Sequence, residues 1–425
     1  MSWPIIVVTG ANGGVGFGIC QRLLCQLSEK TPSDTLLRPK QLPENRQNDS
    51  QTRDADQFVL PCEGITLIMA CRSVQRAKDA REKLLKILDE HIEKLRERPQ
   101  YDGHADSFRR NVKIEIHQVD LAALASIPKF VKEVQNKYPY VSHLICNAGI
   151  APFAAIDWPK CFHQLFTAPL SALTTPRYYK QIWGEVSQDG YGFVWQCNMF
   201  GHYILYRDLY PLLSSPKYPH DSRVVWTSSL EAQKKYEAGD WQLVKTRDVY
   251  GSSKYQTELV SLELDRRALD DPDAPEENKR VRHFTAHPGV THTNIAQNLI
   301  SPLMQPLKVV LFYVARWLGS PDHPIAVEKG AISVVWVSII SLSVLSIFSS
   351  SSKSPQNANG TSKDGSKTHP TVRRPAVKFS AQTDWWGNSR VGMAEIESGE
   401  EHSAEAKELV DYCEDLYQEI KAARI

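Results

Sequence analysis

Short runs of apolar, mostly β-branched residues alternate along the chain with longer stretches in which apolar positions recur at helical spacing. The runs predict strands, and the stretches predict amphipathic helices. The predicted strands are residues 5–9, 65–71, 112–119, 141–146, 222–228 and 282–287. The predicted helices are residues 15–29, 74–98, 122–138, 191–213 and 249–269. This α/β alternation is typical of βαβ units, so we expect a doubly wound parallel sheet with helices on both faces.

One domain over residues 1–350 accounts for this alternation. Insertions into it are predicted at residues 30–63, 151–190 and 231–248. The second insertion contains several prolines and aromatic residues, and we expect it to cover a site. Residues 349–371, which begin Ser-Ser-Ser-Ser-Lys-Ser-Pro, have the low complexity of a disordered linker. Residues 372–425 form a C-terminal extension, in which 394–424 predict an acidic amphipathic helix.

Two apolar segments are candidates for crossing or contacting a membrane. Ala331–Phe348 contains no charged residue, and as a helix it would cover ~27 Å, the low end of a bilayer span. Its five serines also suit a helix packed inside the main domain, and both alternatives stay open. Residues 302–318 carry only Lys308 and Arg316 as charges, which predicts an apolar lid, a monotopic membrane contact, or both.

Composition excludes some classes of function. The formal net charge of +1 gives no global field that would recruit nucleic acid. The eight cysteines include no CxxC pair, so we expect reduced, buried thiols in a cytosol-facing protein. No signal peptide is predicted, because a strand begins already at Ile5. His287 and His292 have no nearby pattern of acids or cysteines, so no metal site is predicted.

A glycine-rich segment, Thr9-Gly-Ala-Asn-Gly-Gly-Val-Gly16, follows the first predicted strand. Its glycines permit a tight turn and a close approach of the backbone to a pyrophosphate, and the next helix offers free amides to that anion. A plain strand-to-helix turn is the alternative. The predicted cofactor contacts in this segment are Gly10, Asn12, Gly14, Val15 and Gly16.

Three further predicted strand ends carry candidate cofactor residues. The second strand runs into Arg72 and has no acid there, which favours NADP(H), because arginine suits a 2′-phosphate and NAD prefers an acid. Otherwise Arg72 points into solvent. Asp120 follows the third strand and is expected either to accept from the adenine amine or to cap the next helix. Asn147 opens Asn147-Ala-Gly149 after the fourth strand, where it can shape the turn beside the adenosine ribose.

Tyr250 and Lys254 lie four residues apart on a predicted helix, so their side chains share one face. A cation near a phenol lowers its pKa from about 10, and such a pair can protonate a carbonyl oxygen or deprotonate an alcohol. The same spacing recurs at Tyr417 and Lys421, where we expect an exposed ion pair or a packing role. Only the first pair follows a strand that ends in serines.

Six motifs occur in the order typical of the short-chain dehydrogenase/reductases. They are Thr9–Gly16, Asn147-Ala-Gly149, Asn198, Ser229, Tyr250 with Lys254, and Pro288-Gly289. Over residues 4–295 the chain resembles this family, which implies a Rossmann-type fold and an NADP(H) site. The twenty-one residues from Ser229 to Tyr250 exceed the spacing in compact members of the family, and the insertion at 231–248 accounts for the difference.

The resemblance also implies roles for single residues. Tyr250 is the proton donor, and Lys254 lowers its pKa and bonds the nicotinamide ribose. Ser229, or its neighbour Ser228 as the less favoured choice, stabilises the developing oxyanion. Asn198 holds a water that links Lys254 to solvent. In addition, the Val290 backbone and Thr293 meet the nicotinamide carboxamide and the phosphates.

Further segments resemble the 3-ketosteroid reductases of sterol biosynthesis. They are Asn198–Tyr203, Ser228–Ala232, Asp240–Lys245, Tyr250–Gln256, Ala315–Gly319 and Thr383–Gly387. This resemblance implies NADPH-dependent reduction of the 3-keto group of a sterol intermediate to the 3β-hydroxyl during C4 demethylation. It also implies a location at the endoplasmic reticulum membrane or lipid droplets, with the catalytic domain facing the cytosol, beside the other C4-demethylation enzymes.

Two alternatives to this function stay open. One is a reductase of another lipophilic ketone or aldehyde, such as a steroid, a retinoid or a secondary metabolite. The other is an NADP-binding scaffold in an assembly of sterol enzymes.

Overall fold

The computed structural model describes residues 3–37, 60–270, 279–293, 295, 299, 301, 304–349, 376–396 and 403–423. Its strands are β1 (Ile5–Thr9), β2 (Ile65–Cys71), β3 (Val112–Gln118), β4 (His143–Cys146), β5 (Phe153–Ile156), β6 (Tyr179–Gln181), β7 (Ser222–Thr227), β8 (Val281–His287), β9 (Val377–Thr383) and β10 (Ser389–Glu395). Its helices are α1 (Gly14–Leu27), α2 (Val74–Arg96), α3 (His104–Arg110), α4 (Ser126–Lys137), α5 (Trp158–Thr167), α6 (Pro169–Thr174), α7 (Phe193–Trp195), α8 (Gly201–Leu213), α9 (Val249–Asp270), α10 (Gln305–Trp317), α11 (Val327–Gly330), α12 (Ile332–Ile339), α13 (Leu342–Ser349) and α14 (Ser403–Ala422).

Eight strands form one sheet in the order β10-β9-β8-β7-β4-β1-β2-β3. All neighbours pair in parallel except β10, which runs antiparallel to β9 at one edge. Side chains of β1 alternate between two cores: Val7 packs in one and Val8 in the other. Because helices cover both faces, the central strands are buried along their whole length. The predicted doubly wound α/β fold is confirmed.

The chain reverses direction through the sheet at β1, which lies between β2 and β4. In open α/β sheets, ligands bind outside the carboxyl ends of the strands at such a point. The glycine-rich segment, Arg72 and Asn147 follow β1, β2 and β4, so the topology brings them to one edge of the sheet.

The C-terminal extension belongs to the main sheet. Strand β9 pairs with β8 at Ala286 and His287, and β10 completes the edge. The prediction of a helix at 394–424 is wrong for residues 394 and 395, which belong to β10, and it is confirmed over Ser403–Ala422; residues 397–402 lie outside the described residues. The predicted linker lies, apart from Ser349, outside the described residues as well.

Helix α14 packs on α9 and buries Leu409, Val410 and Cys413 completely. Tyr417 is also buried, and its hydroxyl donates to Asp208. The second tyrosine–lysine pair therefore has the packing role that was one of its two predicted alternatives.

The segment Ala331–Phe348 is broken into α12 and α13 and does not form one long helix. Every residue of α12 is buried, with Trp336 fully enclosed against Phe379 of β9. The prediction of a helix packed in the main domain is thus the one that the structure supports for this part. Among the described residues, no helix combines the length and the apolar character needed to cross a bilayer.

The first predicted insertion is described only at its ends, since residues 38–59 lie outside the described part. Its first turn is tied to α1 by two hydrogen bonds from Arg22 to Asp34, each 2.7 Å long. The third insertion, 231–248, forms a coil that Asp240 organises by accepting from the amides of Val244 and Lys245.

Candidate active site

A single cavity of about 910 Å³ runs along the carboxyl ends of β1, β2, β4, β7 and β8. One part lies over the glycine-rich segment, and the other lies under the insertion 151–190 and α10. We refer to these parts as the cofactor cleft and the apolar chamber. Every residue predicted from the sequence to contact cofactor or substrate lines this cavity, except Gly16 and Asn198, which lie directly behind its wall.

The glycine-rich segment forms a turn that tolerates no side chain at two points. Gly10 has φ +66°, a conformation that favours glycine. A Cβ on Gly16 would stand 2.3 Å from the Gly10 oxygen and 2.6 Å from Asn147 Nδ2. The backbone of α1 therefore packs directly on the turn, and Gly13 gives the start of α1 no side-chain cap. This close approach fits a pyrophosphate at the helix start.

Asn147 joins the ends of two strands. Its Nδ2 donates to the Thr9 oxygen at 2.9 Å, while its backbone amide donates to Thr9 Oγ1 at 2.8 Å. The side chain thus shapes the turn beside the cofactor cleft, and its place beside an adenosine ribose stays a prediction. Asp120 lines the cleft and accepts from the Ala122 amide at 3.1 Å, but α4 begins only at Ser126 with Ala125 at its N-cap, so the predicted capping of the next helix by Asp120 is wrong.

Arg72 is exposed at the rim of the cofactor cleft. Ser73 caps α2 by accepting from the amide of Arg76, and the Arg76 side chain lines the same rim. Arg76 was not predicted from the sequence, although its spacing of four residues from Arg72 was a usable signal. Two guanidinium groups are therefore available to a 2′-phosphate.

The segment after β8 closes the other wall of the cleft. A Cβ on Gly14 would lie 3.7 Å from Thr293 Cγ2, so Thr293 stands beside the start of α1, and its contact with the phosphates stays a prediction. Val290 lines the cavity, but its amide donates to the Asp322 oxygen at 2.7 Å. The predicted backbone contact of Val290 with a carboxamide is therefore restricted to its carbonyl, which already accepts from the Ile325 amide.

Tyr250 and Lys254 lie in the first two turns of α9, and both are buried. The Tyr250 amide donates to Gln181 Oε1 at 2.9 Å, which links α9 to the insertion 151–190. Lys254 Nζ donates to the Thr227 oxygen at the end of β7, at 2.8 Å. The pair therefore stands where β7 opens into the cavity.

Ser229 and Ser228 have separate partners. Ser229 lines the cavity near the Tyr250 hydroxyl and lowers the pKa of that phenol. Ser228 Oγ instead donates to Glu258 Oε1 at 2.5 Å in the buried interior. Of the two serines, the structure thus brings Ser229 to the phenol.

The prediction that the pKa of the Tyr250 phenol lies below its usual value is wrong. Burial raises the pKa of Tyr250, and the negative charge of Glu231 raises it further. The Lys254 ammonium is held at the Thr227 oxygen, and burial lowers its own pKa to about 8. The four-residue spacing placed the Tyr250 and Lys254 side chains on one helix face. It could not predict that both side chains are buried or that the charge of Glu231 acts on the phenol.

Asn198 lies in a π-helical segment, Gln196–Phe200, between α7 and α8. Its Nδ2 donates to the Ile150 oxygen and to Ser253 Oγ, each at 3.0 Å, and its Oδ1 accepts from the Ile150 amide at 2.8 Å. A Cβ on Gly149 would be 3.1 Å from Asn198 Oδ1 and 3.6 Å from Lys254 Nζ. Asn198 therefore holds the loop after β4 close to Lys254.

The insertion 151–190 covers the site, as predicted. Strands β5 and β6 form a small antiparallel sheet, and the Phe153 ring stands edge-on to the Tyr250 ring at 5.5 Å. The apolar chamber is lined by residues of this insertion and of α10: Phe153, Ile156, Trp158, Phe162, Leu165, Leu173, Tyr178, Tyr179, Leu307, Leu311 and Phe312. Residues 305–317 thus form part of the predicted apolar lid.

Glu231 is a charged group of the site that sequence reasoning did not single out. It lines the cavity, and its backbone amide donates to Ser229 Oγ at 3.1 Å. Burial, reinforced by the charge of Asp248, raises the pKa of Glu231 to about 7, while Lys235 opposes that rise. Its position two residues after Ser229 was the available signal. Among the described residues, no group of three or more potential metal ligands converges.

Comparison with known proteins gives the following relatives. No family model matches the chain. It is 26% identical over 419 residues to the 3-keto-steroid reductase erg27 of Schizosaccharomyces pombe, covering 98% of this chain and 96% of that protein. It is 27% identical to the protein of the same name from Aspergillus fumigatus, over 96% of this chain and 87% of that protein. It is 25% identical to 3-keto-steroid reductase/17-beta-hydroxysteroid dehydrogenase 7 of Rattus norvegicus, over 78% of this chain and 80% of that protein.

Two solved structures illustrate the range of similar folds. L-sorbose reductase from Gluconobacter frateurii, complexed with NADPH and L-sorbose, is 14% identical with a TM-score of 0.48 and covers 81% of this chain and 92% of its own. A 3-oxoacyl-[acyl-carrier protein] reductase from Brucella melitensis, in complex with NAD, is 13% identical with a TM-score of 0.47 over 82% and 94%. The chain is thus similar over nearly its whole length to curated 3-keto-steroid reductases, and the motifs by which its sequence resembles the short-chain dehydrogenase/reductases meet at one edge of the sheet.

Proposed function

We propose that this protein is an NADPH-dependent reductase that converts the 3-keto group of a sterol intermediate to the 3β-hydroxyl. One observation carries the proposal: the buried Tyr250 hydroxyl stands where the cofactor cleft meets the apolar chamber. The names of the curated relatives, 3-keto-steroid reductases over nearly the whole chain, support the class of substrate.

The cofactor cleft would hold NADPH through groups already in place. The turn at Gly10 and the start of α1 would receive the pyrophosphate, with Thr293 beside them. Arg72 and Arg76 would pair with the 2′-phosphate, which is the basis for preferring NADPH to NADH. When bound, this cofactor supplies the hydride for a carbonyl carbon.

Proton delivery would come from the chain's own residues. Burial and the charge of Glu231 raise the pKa of the Tyr250 hydroxyl. This hydroxyl is therefore protonated at neutral pH and can donate to a carbonyl oxygen. Ser229 lies near that hydroxyl, so it can stabilise the charge that develops on the same carbonyl oxygen. Lys254 supplies positive charge one helical turn away, and Asn198 fixes the neighbouring loop.

The apolar chamber supports a rigid, lipophilic substrate. Aromatic and aliphatic side chains from the insertion 151–190 and from α10 form its walls, while the polar groups gather at the Tyr250 end. A ketone at one end of an apolar body would place its oxygen at Tyr250 and its carbon skeleton between these walls. A place in C4 demethylation, beside the other enzymes of that sequence, is the finer part of the proposal and rests on the 3-ketosteroid reductase resemblance.

We also propose that the mouth of the apolar chamber rests on a lipid bilayer, at the endoplasmic reticulum or on lipid droplets. Trp158 and Phe162 line the chamber and are also 49% and 55% exposed, while Phe166 is 87% exposed. Across the mouth, Leu307 and Val310 of α10 are 48% and 54% exposed. Residues 158–182 and 301–318 contain Lys or Arg and no Asp or Glu, which suits an anionic surface.

Vesicle flotation tests the surface. The full-length protein should float with anionic vesicles, and a variant with Phe162→Ser, Phe166→Ser and Val310→Ser should remain at the bottom of the gradient. Leu36→Ser is the matched control, because Leu36 is 67% exposed but lies outside these segments. Equal flotation of the triple variant and the control would remove this surface from the proposal.

The experiment for the catalytic function is NADPH oxidation by the purified protein against three kinds of ketone: 3-keto sterols, 17-keto steroids and small lipophilic ketones. The proposal expects the highest kcat/KM with a 3-keto sterol and a 3β-alcohol as product. Faster reduction of a 17-keto steroid or of a small ketone would favour another lipophilic substrate. NADPH binding without turnover of any of them would favour a scaffold.

A further inference from the structure

A buried ionic network adjoins the catalytic residues. Glu258 Oε1 accepts from Ser228 Oγ at 2.5 Å and from Lys378 Nζ at 2.7 Å. Glu258 is fully buried, and Lys378 is 8% exposed. The two residues are 120 positions apart, one on α9 and the other on β9 of the C-terminal extension.

Each end of this network lies next to a catalytic group. Glu258 follows Lys254 by one helical turn on α9, so the two side chains share a face. Ser228 lies between Thr227, whose oxygen holds Lys254 Nζ, and Ser229, which meets the Tyr250 hydroxyl. The amide of Ser228 donates to the Ala286 oxygen of β8, and the bond from its side chain to Glu258 holds Ser228 at a second point.

Stability alone gives no reason for an ion pair at this place. Removing two charges from water is costly, and apolar side chains of similar size often stabilise a core equally well or better. The neighbours of Lys378 on β9 include Phe379 and Ala381, which pack in the apolar core against α12. Lys378 points to the opposite face of the strand, where its ammonium group meets Glu258 on the helix of Tyr250 and Lys254.

We propose that Glu258 and Lys378 are positioning residues for the reaction: Lys378 of the C-terminal strand balances Glu258, and Glu258 orients Ser228 and acts on the charge of Lys254. This inference rests on the proposed reductase function. It makes β9, which the sequence places beyond the predicted linker, a working part of the catalytic site.

The effect that Glu258 has on the pKa of Lys254 depends on which other charged groups lie near Lys254. Burial lowers the pKa of Lys254 to about 8, and the carboxylate of Glu258 opposes that shift, as does Cys146 of β4. Cys146 is an uncharged thiol near neutral pH, because burial raises its pKa. Burial lowers the pKa values of His202 of α8 and His287 of β8 to about 3, with smaller contributions from the charges of Lys254 and Lys378, so both imidazoles are neutral. Glu258 is thus the anion that supports the protonated form of Lys254.

The central test is the pH profile of turnover for Glu258→Gln. Glutamine keeps a hydrogen-bond acceptor for Ser228 but removes the negative charge, so Lys254 loses its proton at lower pH. The alkaline limb of kcat should move down by about 1 pH unit, and kcat at pH 7.5 should fall about threefold. Any ketone that the wild-type enzyme reduces serves as substrate, so the result does not depend on the sterol being the right one.

Two further variants separate positioning from stability. Lys378→Met alone leaves Glu258 without its cation and should lower stability in urea unfolding more than the double variant Lys378→Met with Glu258→Gln, because the double variant contains no unbalanced charge, whereas only the double variant should move the alkaline limb to lower pH. The matched control is Asp265→Asn, which breaks the ion pair of Asp265 with Arg282 between α9 and β8. It should lower stability and leave the alkaline limb unmoved.

NADPH affinity, measured by fluorescence from pH 6 to 10, reports the protonation state of Lys254 in the absence of any ketone. Its pH dependence should shift with Glu258→Gln in the same direction as the kcat profile. A Glu258→Gln profile that coincides with the wild type in both measurements would overturn the inference. So would an equal shift in Asp265→Asn, since that would show a general loss of stability.

Discussion

The close packing of α1 on the glycine-rich turn makes a sharp prediction about two neighbouring glycines. Replacing Gly16 with alanine places a Cβ 2.3 Å from the Gly10 oxygen, 2.6 Å from Asn147 Nδ2 and 2.9 Å from the Gly10 carbon. At Gly13, three residues earlier, a Cβ meets nothing within 4 Å, and φ is −175°, which any residue adopts. The same substitution should therefore have very different effects at these two positions.

The magnitude at Gly16 follows from that distance. Carbon atoms rest about 3.5 Å or more from their neighbours, so α1 must move about 1 Å away from the end of β1. Two of the three atoms that it meets belong to the backbone, and the Gly10 amide is itself bonded to the Ala70 oxygen at 2.8 Å. Overpacking of this kind costs about 1–3 kcal/mol. If the displaced turn no longer fits the pyrophosphate, NADPH affinity falls about 5- to 150-fold.

The assay has two parts. NADPH binding is measured by fluorescence titration of the purified Gly16→Ala and Gly13→Ala proteins, and unfolding is followed in urea with and without cofactor. Gly13→Ala should remain within about 1 kcal/mol of the wild type, since alanine there loses only the small N-cap preference of glycine. Equal losses of affinity in both variants, or none at Gly16, would refute the reasoning from the Cβ contacts.

Four further outcomes are expected. Tyr250→Phe should retain NADPH binding and lose turnover by about 10²- to 10⁴-fold, and near-wild-type turnover would remove Tyr250 as the proton donor. Glu231→Gln should lower the pKa of Tyr250, so the pH profile of alcohol oxidation with NADP⁺ should move to lower pH, whereas an unmoved profile would separate the two groups. Arg72→Glu should shift preference from NADPH towards NADH, and an unchanged cofactor ratio would exclude Arg72 from the 2′-phosphate site. Trp336→Ala should cost about 3–5 kcal/mol in urea unfolding, because its indole is fully buried in α12; a cost below about 1 kcal/mol would contradict that packing.

Local patterns predicted the parts of the site that are contiguous in sequence. The segment Thr9–Gly16 joins a strand to a helix, so the sequence order places its glycines at the strand end. Tyr250 and Lys254 share a helix face for the same kind of reason, because helical geometry relates residues four apart. Distant contacts such as the 2.7 Å pair of Glu258 with Lys378 have no such local signal.

The extended strands of the C-terminal region show the same limit. β9 reads Val-Lys-Phe-Ser-Ala-Gln-Thr, an alternation that suits a strand, but its place next to β8 depends on pairing across the chain. The apolar segment Ala331–Phe348 was equally compatible with a membrane and with a core, because a uniformly apolar stretch does not say what surrounds it. Burial of α12 against the sheet decided that question.

The α/β alternation, the glycine-rich turn and the placement of Tyr250 and Lys254 on one helix face could therefore be predicted from the sequence, since each depends on residues close together along the chain. The tertiary structure alone decided the electrostatic state of that pair. It buried Tyr250, brought Glu231 to act on the phenol, and held Lys254 at the Thr227 oxygen. A pKa depends on solvent exposure and on charges from every neighbouring element, and those are properties of the folded chain.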